Sequence, residues 1–236
     1  MPWIFELVKW THVVAACLSL AAAPVAIATR KGGRVHRLAG RVYVWGMTAV
    51  FITALIMSIY RPVIFLVGVA VLSFYSMFSA DRVLAQKRGQ LGRFDWVAAG
   101  VALAMGVAVV GWGLAMQVGA IEGPALFGVL GMVFGGMTAG QAAQDMRRFR
   151  QPPTDRLYWW YFHMDRMLGS FTGLLTALLV QTVGPRLLEA GMSPDLIWVV
   201  WIAPTVVMAP TIAFWMGYYR RMFTQRAALR TAAADA

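Results

Sequence analysis

Residues 11–41 read T-H-V-V-A-A-C-L-S-L-A-A-A-P-V-A-I-A-T-R-K-G-G-R-V-H-R-L-A-G-R. An apolar run long enough to cross a bilayer ends in five basic residues, Arg30, Lys31, Arg34, Arg37 and Arg41. The same alternation recurs to the end of the chain. Apolar stretches of about 20 residues define spanning helices. Seven are predicted: Trp3–Ala28, Gly40–Ile59, Val63–Ala80, Phe94–Gln117, Pro124–Ala143, Tyr158–Val183 and Leu196–Tyr218. The Tyr60-Arg61-Pro62 turn joins the second and third into a tight hairpin.

The composition agrees. Of 236 residues, 60% are hydrophobic and only 13% charged, yet the formal net charge is +11. A water-soluble fold of this size has no interior to hold so much apolar surface. The expected fold is therefore all-α, one polytopic membrane helix bundle over residues 1–236. The basic residues set its orientation. Arg82, Lys87, Arg88 and Arg93 follow span three. Arg147, Arg148, Arg150 and Arg156 follow span five. Arg220, Arg221, Arg226 and Arg230 follow span seven. With the first block, these put 17 of the 21 basic residues on one side. The positive-inside rule then predicts the N-terminus outside and the C-terminus in the cytoplasm. Topology accounts for the charge, so a nucleic-acid partner is not expected; the partner is the lipid bilayer.

Packing signals are plain in span five, G-V-L-G-M-V-F-G-G-M-T-A-G at 128–140. Gly131 and Gly135, and Gly136 and Gly140, have the spacing that lets helices approach closely in lipid. They serve packing within the chain or form a homo-oligomer face; the chain is also a candidate subunit of a larger membrane complex. Span seven carries Pro204 and Pro210, each followed by Thr, and a kink or a break is expected there. The lone cysteine, Cys17, excludes an intrachain disulfide.

Ionisable side chains at membrane depth mark function by default. Glu6, Lys9 and His12 recur along one face of span one, where Glu6 and Lys9 can pair. His36 stands at the mouth of span two. Span six carries His163-Met164-Asp165-Arg166 and then Ser170, Thr172 and Thr176. Arg166 calls for a carboxylate, either Asp145 or Asp81. The candidate polar site is His36, Asp81, Asp145, His163, Asp165, Arg166 and Ser170, gathered near the cytoplasmic face. His12 lies about 10 Å or more away by helical rise.

Four chemistries remain open. Catalytic zinc takes three protein ligands and a water, for which His12, His36 and His163 are the candidates, although they are dispersed. One b-type haem needs axial histidines from facing helices, and His36 and His163 share a depth. A small-solute or proton-coupled transporter would use Asp165, Arg166 and the histidines as gates or relays. A non-catalytic accessory or scaffolding role needs none of these.

The block H-R-L-A-G-R-V-Y at His36–Tyr43, opening the second span after a lone histidine in the first, carries a resemblance. So do F-S-A-D-R-V-L at Phe78–Leu84 with Asp95-Trp96, H-M-D-R-M-L-G-S-F-T-G at His163–Gly173, and W-I-A-P-T at Trp201–Thr205. Together they resemble uncharacterised bacterial integral-membrane proteins, grouped as a domain of unknown function. The resemblance implies a multi-pass protein of the bacterial inner membrane with unassigned activity, and draws attention to His12, His36, His163, Asp165 and Arg166.

Overall fold

The computed structural model describes residues 2–60, 64–88, 90–193 and 196–234, with the side chains of Pro2 and of 226–234 outside the description. Arg61, Pro62 and Val63, and the side chains of Arg226 and Arg230, therefore lie outside the described residues. The described residues are all-α, with seven helices: α1 Pro2–Ala28, α2 Arg34–Tyr60, α3 Ile64–Gln86, α4 Arg93–Gln117, α5 Ala125–Arg150, α6 Tyr158–Glu189 and α7 Trp198–Ala234. Each is long and apolar enough to span a membrane, with mean hydropathy between 1.4 and 2.1.

Sequential helices run antiparallel. Ser19 meets Gly46 while His36 meets Ala26 on α1 and α2; Gly106 meets Gly135 while Gly113 meets Gly128 on α4 and α5. The α1–α2, α3–α4 and α5–α6 connections, together with the end of α7, thus lie at one end of the bundle. This is called the basic end below. Central α3 packs on α2, α4, α5 and α6. Its Phe65 is buried among Phe127, Phe134 and Trp201 towards the other end.

Four helices reach further at the basic end than apolarity predicts. α2 starts at Arg34, α3 runs to Gln86, α5 to Arg150 and α7 to Ala234, while α6 extends at the other end to Glu189. Loss of apolarity ends a membrane span, but only a break in backbone bonding ends a helix. The 144–150 stretch contains neither Gly nor Pro, and its Arg147, Arg148 and Arg150 suit the negative end of the α5 dipole. Many basic residues assigned to loops therefore ride on helical turns.

Glycine sets the α4–α5 contact. A Cβ on Gly106 would sit 2.6 Å from the Ala139 backbone nitrogen, and one on Gly135 2.7 Å from the Gly106 carbonyl oxygen. Gly131 packs on Trp112, whereas Gly136 and Gly140 have open space beside them. Of the two spaced glycine pairs, one is used within the chain and one faces outward. In α7 the helix continues through Pro204 and Pro210 without a break. Thr211 donates its hydroxyl to the Val207 carbonyl at 2.8 Å, next to the Val206 carbonyl that Pro210 cannot bond.

Candidate functional site

The basic end holds two adjoining polar clusters. The first lies between α2 and α6, which run in parallel. His36 and His163 are both half-buried, with ring centres 6.5 Å apart and planes at 70°. Each ring is anchored through Nδ1. His36 bonds the Ala26 carbonyl of α1 at 2.9 Å, and His163 bonds the Ala80 carbonyl of α3 at 2.8 Å. A carbonyl only accepts, so Nδ1 is the protonated nitrogen in each neutral ring. The remaining lone pair is then on Nε2. A histidine that ligates a metal is typically held this way.

Seven residues further along both helices, Tyr43 Oη and Ser170 Oγ share a buried hydrogen bond of 2.9 Å. The offset, 170 − 43 = 127, equals 163 − 36 = 127. One parallel register therefore accounts for both pairs. Tyr43 closes the quoted His36–Tyr43 block, and its place on the His36 face, two turns on, is the signal that links it to the site.

The second cluster joins α3, α5 and α6. Asp145, 1% exposed, accepts from Tyr75 Oη at 2.8 Å and lies 3.5 Å from both Arg166 Nη2 and Arg148 Nη2. Arg166 also donates to Gln141, through Nη1 to Oε1 at 2.5 Å and through Nη2 to the backbone carbonyl at 3.3 Å. Ser76 Oγ donates to the same Gln141 Oε1 at 2.9 Å. Both guanidiniums lie over the Phe162 ring, Arg148 at 4.3 Å and Arg166 at 4.9 Å. Such contacts favour a cation held away from water. The carboxylate that Arg166 requires is Asp145, not Asp81.

From Arg148 the network continues outward. Its Nη1 donates to Gln86 Oε1 at 2.7 Å, and Gln86 Nε2 donates to Asp95 Oδ1 at 3.0 Å. Asp95 also accepts two bonds from Arg82, at 2.7 and 2.9 Å, and one from the Gly92 backbone N–H that opens α4. Arg82 and Arg148, read from the sequence as loop charges, are structural members of this network. Gln141, Tyr75 and Gln86 were not among the expected site residues. Their signal is polarity inside an apolar helix, one turn or so from Asp145 or Asp81.

Other expected members stand apart. Asp81 and Asp165 are exposed, and neither forms a hydrogen bond or ion pair among the described residues. Asp165 lies on another face of α6 from Arg166 and is exposed there. His12 is on the other half of the bundle, where its Nδ1 bonds Thr53 Oγ1 at 2.9 Å. Thr53 is seventeen residues beyond His36 on α2, about 25 Å by helical rise. The three histidines therefore do not meet. Among the described residues no three His, Cys, Asp or Glu side chains gather as metal ligands. At the same far end Glu6 and Lys9 pair as expected, at 2.5 Å.

Compared with family models, curated proteins and solved structures, the chain has no match.

Proposed function

We propose that this is a multi-pass protein of the bacterial cytoplasmic membrane, N-terminus outside and C-terminus inside. We propose also that its working centre is the His36–His163 pair, which takes the iron of one b-type haem. The orientation rests on the positive-inside rule, since the basic end carries most of the cationic side chains. Reporter fusions at the C-terminus test it; an outside signal overturns it.

One observation carries the haem reading. Both imidazoles are held by Nδ1 on backbone carbonyls, which leaves Nε2 free on each, 6.5 Å apart by ring centres. Two imidazoles on opposite sides of one metal, with metal–nitrogen distances of about 2 Å, place their ring centres about 6 Å apart. A zinc hydrolase would need a third ligand, and His12 is on the other half of the bundle. The protein class is then a membrane redox protein, with the Arg166–Asp145 cluster bracing α6 beside the ligand. For self-association, or docking into a larger membrane complex, α5 offers Gly136 and Gly140, because Gly131 and Gly135 face α4.

The test is the absorbance spectrum and iron content of protein purified in mild detergent after expression with a haem precursor. A Soret band and about one iron per chain are expected, both lost in His36→Ala and His163→Ala and retained in His12→Ala. A colourless, iron-free preparation overturns the haem reading and returns the chain to the accessory or carrier classes.

A further inference from the structure

A cavity of about 410 Å³ lies at the basic end, between the α3–α4 and α5–α6 connections. Its charged lining residues are Lys87, Arg148 and Arg156 against a single acid, Asp155. Asp155 is already engaged, since its Oδ1 accepts the Leu157 backbone N–H at 2.8 Å. The Lys87 ammonium rests on the face of Trp159, 3.2 Å from the ring centre. Partial burial, and then the adjacent Arg88, lower the Lys87 pKa from the usual lysine value. A nearby anion would offset both effects.

Arg148 is the decisive residue. Its side chain is 8% exposed. Among the described residues, only Nη1 has a hydrogen-bond partner; Nε and Nη2 are buried with none. Those two nitrogens form the edge by which a guanidinium grips a carboxylate or phosphate with two parallel bonds. The Asp145 carboxylate is 3.5 Å from Nη2, beyond ordinary hydrogen-bonding distance, and is shared with Arg166. Two buried guanidiniums therefore divide one carboxylate, and one positive charge is left without a counter-ion. Buried charge of this kind is costly unless it is paired.

We infer that the cavity is an anion site for a phosphate group, with Arg148 as its inner clamp and Lys87 and Arg156 at its rim. The Arg148 edge is covered by its neighbours, so the guanidinium turns toward the cavity as the anion enters. Phosphate suits the site because it accepts several charge-assisted bonds at once, and its charge of up to about −2 matches three cations offset by Asp155. It can arrive on the headgroup of an anionic phospholipid or on a small phosphorylated molecule.

The experiment is native mass spectrometry, with thermal-shift titration, of the full chain in a non-ionic detergent. The probes are dihexanoyl phosphatidic acid, dihexanoyl phosphatidylcholine, inorganic phosphate and pyrophosphate. Saturable binding of at least one phosphate probe is expected. It should weaken at least ten-fold in Arg148→Gln and in the rim variant Lys87→Gln/Arg156→Gln, and persist in Arg147→Gln. Binding of phosphatidic acid without phosphate or pyrophosphate identifies the lipid source; binding of the water-soluble anions identifies the other. The rim variant keeps the test valid if Arg148→Gln does not fold, because neither rim residue bonds the buried network. Binding of no probe, or equal binding by wild type and the rim variant, overturns the assignment.

Discussion

His36 and His163 face one another across two parallel helices with ring centres 6.5 Å apart, and Tyr43 and Ser170 repeat that pairing two turns deeper. Two helices that share one register over two turns are held as a unit. The imidazole spacing is therefore a property of the α2–α6 contact and not of either side chain alone.

That register can be tested at its deeper rung. Ser170→Ala leaves the Tyr43 hydroxyl buried with no partner, and a loss of about 1–3 kcal/mol is expected. The double variant Tyr43→Phe/Ser170→Ala removes both polar groups and should lie within about 1 kcal/mol of wild type. Denaturant unfolding of the three proteins in detergent reads the difference. A double variant as unstable as the single one would mean that the bond does not set the register.

Asp145 is shared by two guanidiniums, each 3.5 Å away, and its loss should therefore exceed that of either partner. Asp145→Asn is expected to destabilise the bundle by about 3–5 kcal/mol, the range for breaking a buried ion pair. Arg166→Gln should cost less, because Arg148 still faces the carboxylate. Thermal stability and yield in detergent rank the variants; equal loss in both would mean that Arg148 does not share the charge.

The outer end of the network makes a separate expectation. Asp95 holds Arg82, Gln86 and the first turn of α4. Asp95→Ala should cost about 1–3 kcal/mol, combining a lost helix cap with a broken, partly exposed ion pair. Hydrogen exchange should rise first in residues 90–96. Unchanged protection there would argue that the α3–α4 connection is ordered by something else.

Two glycines of similar sequence context should respond in opposite ways. At Gly106 an added Cβ meets α5 backbone at 2.6–2.7 Å, and Gly106→Ala should cost about 1–3 kcal/mol by overpacking. Gly136 has nothing within 4 Å. There Gly136→Ala should be neutral or stabilise by up to about 1 kcal/mol through helix propensity. A destabilised Gly136→Ala with loss of a dimer on size-exclusion chromatography would instead reveal a contact with a second copy.

Seven helices, their order and the gathering of cations at one end follow from the sequence by itself. Their cause is local: the length of an apolar run, and the cost of placing an arginine in hydrocarbon. The need of Arg166 for a carboxylate was also legible, because a buried guanidinium must be paired. What only the tertiary structure decided was which groups meet. Asp145 rather than Asp81 answers Arg166, since α5 and α6 turn those faces inward while Asp81 is exposed. Arg148, equivalent on paper to Arg147 and Arg150, is the one that α5 rotates into the protein. His12 parts from His36 and His163 because the α1–α2 hairpin pairs it with Thr53. Helix rotation and register depend on packing between segments far apart in the chain, above all on glycines that permit close approach. No periodicity within a single apolar span encodes them.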